Sequence, residues 1–368
     1  MVRILLTGGG TGGHIYPLIA VSKKLQDYAD RGGLEIDLRY FGKADYYAKE
    51  LETNNIKAVY IAPSKLRRYF SLLNLVDIPK FFWSILQGLW KVFWFMPDAV
   101  FSKGGPGALA MILVCRFYRI PLLIHESDAI PGLTNRISAR FAKKVDIAFE
   151  AAADYFQTKA ELGVTGNPIR EELLIPQDQA MAKRRWGFDP RKPVILVLGG
   201  SQGSERINNF ISENLEDWLN KFQLLHQVGY GKYAEYQKWM KQKSNYQFVP
   251  YFDSVKDLRD GFAAADIIVS RAGAGAIFEI AAMGKPSILI PLPEAANNHQ
   301  NQNAYEYVKT GAAIIIEEEN LLVNLAINEI EKILNNPALL IKMSTAAKNF
   351  YKPDAAEKIA KDIISVIK

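Results

Sequence analysis

A single cysteine, Cys115, is all that the 368 residues contain. That excludes an internal disulfide framework and suits a reducing cytosol. No uninterrupted run of about 18 apolar residues occurs, so no membrane-spanning helix is expected. Nor is a signal peptide expected, because residues 2–7 run into glycines where an apolar leader would continue. No two aspartates stand two residues apart, so the Asp-x-Asp pair that often holds a metal against a diphosphate is missing. No metal or other cofactor is expected. Histidine is scarce, at four residues. Charge of one sign is nearly balanced by the other: 45 Lys and Arg against 39 Asp and Glu leave a net +6. This mild excess fits an anionic partner (membrane surface, nucleotide or nucleic acid) and equally an ordinary solvated surface. An apolar share of 49% with 23% charged residues is that of a globular protein. The length predicts two α/β domains rather than one core.

Glycine is what the chain has in a telling place. Gly8-Gly9-Gly10-Thr11-Gly12-Gly13-His14 follows a strand-like run and precedes a helical pattern over residues 15–25. In that arrangement backbone N–H groups and the helix dipole face a phosphate. Gly8, Gly10 and Gly13 satisfy G-x-G-x-x-G, the dinucleotide fingerprint. Two features argue against a dinucleotide. His14 puts an imidazole where the cofactor pyrophosphate would pack. The second apolar run ends in Gly42-Lys43, not in the acidic residue that would hold a ribose. A reacting sugar or phosphate is the better expectation.

The pattern recurs. Residues 193–198 lead into Gly199-Gly200-Ser201-Gln202-Gly203-Ser204 and a helical stretch over 206–219. Residues 266–270 lead into Arg271-Ala272-Gly273-Ala274-Gly275-Ala276 and a helix through Glu279 to Met283. Short buried-strand candidates lie at 99–101, 122–125, 223–228 and 287–290. Alternating strands and helices predict parallel sheets joined by right-handed crossovers. The expected fold is α/β, with two Rossmann-like domains facing across a cleft and all three loops at the carboxyl ends of the strands. The breaker-rich residues 163–168, after an expected helix near 154–162, place the boundary, giving domains 1–163 and 164–350. The C-terminal helix, within 351–368, is expected to cross back to the first.

Further segments fall in order along both halves: His125-Glu126-Ser127-Asp128, Gly166-Asn167-Pro168-Ile169-Arg170, and His299-Gln300 followed by Asn303-Ala304. With the glycine loops, these resemble the MurG family of bacterial peptidoglycan glycosyltransferases, over roughly residues 2 to 310. The resemblance implies a GT-B fold and UDP-N-acetylglucosamine as donor. The acceptor it implies is lipid I, undecaprenyl-diphospho-N-acetylmuramoyl-pentapeptide. Inverting transfer to the muramoyl 4-hydroxyl would yield lipid II, at the cytoplasmic face of the bacterial membrane.

Sugar transfer from a nucleotide diphosphate needs a cradle for the departing pyrophosphate, a base for the acceptor hydroxyl, and exclusion of water. Without a metal pair, charge relief falls to helix N-termini and a cation, and Arg170 is the candidate. Thr11, Gly12 and Gly13 in the first loop and Ala274 in the third are expected to contact substrate. By resemblance, Glu279 holds the ribose hydroxyls, and Ser201 contacts the diphosphate or ribose. Phe252 marks the backbone that reads the uracil edge, and Gln300 bonds the hydroxyls that distinguish gluco from galacto. The plainer readings are a surface glutamate, a turn serine, a core aromatic and a surface glutamine. His14 and Asp128 are the acid–base candidates, because an imidazole can take a proton at neutral pH; which of them is the base stays open. Two departures from the family stand out. Gly275-Ala276 replace the usual hydroxyl-bearing residue, and Pro106 replaces a common aromatic.

Residues 65–97 interleave Lys65, Arg67, Arg68, Lys80 and Lys91 with aromatics, including half of the six tryptophans. Phe82, Ile85, Leu86, Leu89, Phe93 and Met96 follow helical spacing, and a core stripe is one reading of them. Phe81, Trp83, Trp90 and Trp94 lie off that stripe, which makes the helix apolar nearly all round. Trp83, Trp90, Trp94 and Phe82, with Arg67 and Arg68, are expected to dock on an anionic membrane surface. A wholly buried helix is the plainer reading; nucleic acid, which would use similar stacking, is not an expected partner. Two competing functions remain. A UDP-N-acetylglucosamine 2-epimerase would leave the aromatic helix without purpose, and a peripheral membrane protein would carry a vestigial nucleotide pocket.

Overall fold

The structure is a computed structural model describing residues 1–44, 47–63, 74–200, 202–239, 243–252, 254–293, 295 and 298–367. The chain forms two compact units, Met1–Ile169 with Pro353–Lys368, and Arg170–Lys352, so the division falls just past the 163–168 run.

In the first unit the strands are β1 (Val2–Thr7), β2 (Ile36–Gly42), β3 (Ile56–Tyr60), β4 (Ala99–Ser102), β5 (Leu122–Glu126), β6 (Lys144–Ile147) and β7 (Glu161–Val164). They make one parallel sheet in the order β3-β2-β1-β4-β5-β6-β7. β4 and β5 are buried throughout, as expected of central strands covered on both faces. Strand order reverses between β1 and β4, and ligands bind beside such a switch point. Thr7 pairs with Ser102 there. The glycine loop after β1 therefore lies next to the loop after β4, and the Lys103 N–H donates to the Thr7 carbonyl at 3.0 Å. The helix Gly12–Arg31 buries Ile15, Leu18, Val21 and Leu25 on β1, and Pro17 inside its second turn leaves the Gly13 carbonyl without its i+4 donor. The C-terminal helix Ala355–Ile367 adds Ile359, Ile363 and Val366 to the same core as Ile4, Leu6 and Ile15.

The second unit contains β8 (Val194–Leu198), β9 (Gln223–Gln227), β10 (Tyr246–Val249), β11 (Ile267–Ser270), β12 (Ser287–Leu289) and β13 (Ala313–Ile315). Its parallel sheet runs β10-β9-β8-β11-β12-β13, the same winding as the first.

Three elements differ from expectation. No helix spans 154–162: a short 3-10 helix, Glu150–Tyr155, precedes β7, which joins the sheet beside β6. The stretch 206–219 is two helices, Glu205–Glu213 and Leu215–Lys221, broken where the Asn214 side chain donates to the Phe210 carbonyl at 2.8 Å. The helix Asn74–Phe95 has its inner face at Phe81, Ser84, Ile85, Leu89, Val92 and Phe95. Of the stripe open to a core reading, Phe82, Leu86, Phe93 and Met96 are exposed, as are Trp83, Trp90 and Trp94. Among the described residues, no helix is long and apolar enough to cross a membrane.

Candidate active site

Thr11 ends the first glycine loop, and its carbonyl accepts from the N–H groups of His14 and Ile15, starting the helix. Its hydroxyl lies 2.9 Å from His14 Nδ1. The imidazole lies close against two glycines: a Cβ on Gly9 would come within 2.8 Å of the ring, and one on Gly105 within 3.1 Å of Nε2. Those glycines make room for the ring between the loops after β1 and β4. Burial first, then the charge of Lys103, push the His14 pKa down to about 4, against the opposing pull of Asp128. His14 is therefore neutral at physiological pH.

Asp128 stands on the turn after β5, and the turn is built by Glu126. One Glu126 oxygen accepts from the Asp128 N–H at 2.9 Å; the other accepts from the Gly132 N–H at 3.1 Å and Asn135 Nδ2 at 2.9 Å. Burial, then the charge of Asp128, raises the Glu126 pKa well above the usual carboxylate range. Asn135 in turn demands Gly104, whose φ is +75° and where a Cβ would lie 2.4 Å from Asn135 Oδ1. Beneath the turn, Lys103 is buried and donates to His125 Nδ1, Ser127 Oγ and Asn167 Oδ1. Thr11, Gly12, Gly13, His14 and Asp128 thus gather at one switch point. Lys103, Glu126, Asn135 and Asn167 join them, though sequence reasoning assigned none of them a role; Glu126 and Asn167 lie within the segments that carry the resemblance, and Lys103 directly follows the buried β4.

In the second unit the loop after β8 turns through Gly200 and Gly203, with φ of +86° and +79°. A Cβ on Gly203 would meet the Val228 carbonyl at 2.1 Å. Ser201 lies outside the described residues, as do Arg67 and Arg68. Arg271 ties the loops together: it donates to the carbonyls of Ile290 and Pro291 at 3.1 and 3.2 Å and to Ser204 Oγ at 2.7 Å, and it pairs with Glu318. The helix Ala274–Ala282 begins after Gly273, which has no side-chain cap. Gly273 and Gly275 both face open space, so amides rather than a hydroxyl are presented there. Glu279 sits on this helix, and Arg170 donates to its Oε1 through both Nε (3.1 Å) and Nη2 (2.7 Å). The cation expected to relieve a diphosphate is thus engaged with the carboxylate expected to hold the ribose. Gln300 Oε1 accepts from the Leu292 N–H at 3.1 Å, which ties the helix His299–Val308 to the segment after β12. The Phe252 ring is buried edge-on against Trp186, so only its backbone is available for recognition. No group of three or more His, Cys, Asp or Glu residues suited to a metal occurs among the described residues.

Comparisons with known proteins agree along the whole chain. The glycosyltransferase family 28 N-terminal domain matches residues 4–147, and the family's C-terminal domain matches residues 194–359. A UDP-N-acetylglucosamine--N-acetylmuramyl-(pentapeptide) pyrophosphoryl-undecaprenol N-acetylglucosamine transferase of Thermoanaerobacter sp. (strain X514) is 36% identical, covering 99% of this chain and 100% of that protein. The crystal structure of MurG from Acinetobacter baumannii superimposes with a TM-score of 0.73 at 26% identity, covering 99% and 100% of the two chains. A UDP-GlcNAc 2-epimerase from Neisseria meningitidis covers 99% of this chain at a TM-score of 0.68 but only 15% identity, a likeness of fold alone. Two parallel α/β sheets wound alike, both family domains in order and a near-full-length match place this chain in glycosyltransferase family 28, among the MurG N-acetylglucosamine transferases.

Proposed function

We propose that the chain transfers N-acetylglucosamine from UDP-N-acetylglucosamine to the muramoyl 4-hydroxyl of lipid I, forming lipid II for peptidoglycan. The observation that carries this reading is the match of 36% identity over essentially the entire length of a transferase of that activity. The local chemistry supports it. If His14 donates Nδ1–H to Thr11, its Nε2 lone pair is left to accept the acceptor hydroxyl proton. A depressed pKa keeps that lone pair available at neutral pH but weakens it as a base. An anionic lipid diphosphate arriving nearby would raise the pKa again. Asp128 would orient the acceptor and stabilise the imidazolium.

On the donor side, Glu279 would accept the ribose hydroxyls, with Arg170 fixing its orientation. The amides that open the Ala274–Ala282 helix, with Ser201, would receive the diphosphate. The backbone at Phe252 would read the uracil, and Gln300 the sugar hydroxyls. The acceptor's polyprenyl tail calls for a membrane-facing surface. Ile78, Phe82, Trp83, Leu86, Trp90, Phe93 and Trp94 form an exposed apolar stripe on one helix, near Lys80 and Lys91. Phe117, exposed on the helix Ala108–Phe117, meets Tyr118 edge-on, and the Tyr118 hydroxyl donates to the Leu89 carbonyl of the striped helix. A surface of aromatics beside cations suits an anionic bilayer.

The deciding experiment supplies UDP-N-acetylglucosamine labelled in the sugar with and without lipid I in detergent or vesicles. Label moving into lipid II only when lipid I is present is the expected result. Formation of the 2-epimer without acceptor would overturn it.

A further inference from the structure

Lys103 has no part in the reading so far. Its side chain is 3% exposed, sealed behind the first glycine loop. Its ammonium donates to His125 Nδ1, to Ser127 Oγ and, at 3.3 Å, to Asn167 Oδ1. An ammonium has three hydrogens and no acceptor site, so three bonds use it fully, and only in its charged form. The partners pass the order outward. Ser127 Oγ–H donates to Asn167 Oδ1 at 2.9 Å, and His125 Nε2–H donates to the Gly166 carbonyl at 2.9 Å. Since His125 Nδ1 accepts, the ring is fixed as the neutral Nε2–H tautomer. One cation thereby fastens the end of β5, which leads into Asp128, to the segment after β7. Lys103 also flanks His14: a Cβ built on Gly8 would sit 3.4 Å from Lys103 Cβ and 3.5 Å from His14 Cβ. The titratable groups facing Lys103 are the carboxyls of Glu126, Asp128 and Asp146 and the neutral rings of His14 and His125. Burial pulls the ammonium's own pKa down to about 7 against those three carboxyls, so the three-donor network is complete on the acid side of neutrality.

We infer that Lys103 is a positioning residue for sugar transfer, holding the Glu126–Asp128 turn in place and keeping His14 in its proton-accepting form. The inference rests on the transferase reading above. Lys103 reaches no substrate; it acts through the groups it orients.

Lys103→Met keeps the length of the side chain and removes the charge and all three donors. With lipid I as acceptor, its kcat is expected to fall by about tenfold or more, while KM for UDP-N-acetylglucosamine stays within about twofold. The acidic limb of its kcat–pH profile should move to higher pH, because losing a neighbouring positive charge raises the His14 pKa. Lys103→Arg should return that limb toward the wild-type position. A wild-type rate and profile in Lys103→Met would overturn the inference, and so would a lower rate with an unmoved limb. Should Lys103→Met lose its cooperative melt, nitrogen-15 histidine spectra of the wild type decide instead. His125 must appear as the neutral Nε2–H tautomer at pH 7, and an imidazolium or an Nδ1–H tautomer would refute the network. Wild-type protein that leaves lipid I unmodified would remove the transferase reading instead, a separate outcome.

Discussion

His14, the proposed base, sits in surroundings that disfavour its protonated form. Because burial and Lys103 depress its pKa to about 4, the neutral form is fully present above that value and is lost as pH falls through it. The acidic limb of kcat/KM for the lipid acceptor, which reports His14 before that acceptor binds, is therefore expected below the ordinary histidine range. His14→Ala should cut kcat by roughly 10²–10⁴ and leave UDP affinity nearly intact, read by steady-state kinetics beside a binding titration. Equal losses in both would make His14 a positioning group, and a preserved rate would move the base to Asp128. On the donor side, Glu279→Gln keeps the shape but removes the charge that pairs with Arg170 and is proposed to bind the ribose. Bonds to a charged group are worth roughly 1.5–3 kcal/mol, so UDP should bind about tenfold or more weakly by calorimetry. An unchanged dissociation constant would end the ribose role. The positions of His14 and Glu279, each just past a glycine-rich loop on the helix that follows it, were legible in the sequence. Lys103, Glu126 and Asn135 were not, since their chemistry exists only once β1, β4 and β5 lie side by side.

At the scale of one element, the helix Asn74–Phe95 has two apolar faces, and sequence spacing alone did not separate them: Ile85 and Leu89 pack inward while Phe82, Leu86 and Phe93 of the same stripe are exposed. Both stripes repeat every three or four residues, so periodicity cannot say which one is buried. The inner face is fixed by the neighbouring helix Ala108–Phe117: Gly88 sits so close to it that a Cβ would meet Met111 Cε at 2.3 Å. Trp83, Trp90 and Trp94 are 57%, 66% and 68% exposed, so replacing all three with serine should leave the melting temperature and UDP affinity near wild type. Flotation with anionic vesicles and turnover of lipid-linked acceptor should both fall, and added salt should release part of the wild type. Phe95→Ser, on the inner face, should instead destabilise the fold. If the triple tryptophan variant unfolds, the exposed stripe is core in solution and the membrane proposal fails. A second element-scale expectation concerns charge relief at the diphosphate. With the Ala274–Ala282 helix N-terminus proposed for that work, transfer should persist in excess EDTA. Abolition by EDTA, restored by magnesium, would contradict it.

Over the whole molecule, the repeated strand–glycine–helix grammar made the doubled α/β architecture readable, and each half winds its sheet in the same order. The edges were harder to read. β7 is short and mostly exposed, so it carries no buried apolar run to mark it, and the residues before it read as a helix. The return of the C-terminal helix is fastened by Lys144, whose Nζ lies 2.7 Å from Asp362 and 2.9 Å from Glu161, and by Lys143 donating to the Val366 carbonyl. Beside this seam Asp146 is buried with its carboxyl against Asp362, to which only its protonated form can donate, and a Cβ on Gly163 would come within 2.8 Å of it. Burial first, then the charge of Asp362, raise its pKa from 3.8 to about 8, with Lys144 opposing. The folded chain therefore holds a proton that the unfolded chain releases near 3.8. Stability linked to this proton is fully present below the unfolded value and drains away as pH rises through about 8. Asp146→Asn removes the ionisation while keeping the shape. Its melting temperature relative to wild type should rise from pH 5 to pH 8.5, with the gain concentrated in the unit that carries the C-terminal helix. Thermal melts at those two pH values, with hydrogen exchange along the helix Ala355–Ile367, provide the measurement. A gain that is larger at pH 5 would mean that Asp146 is ionised in the native protein, held by Lys144 and Lys103 rather than by a proton.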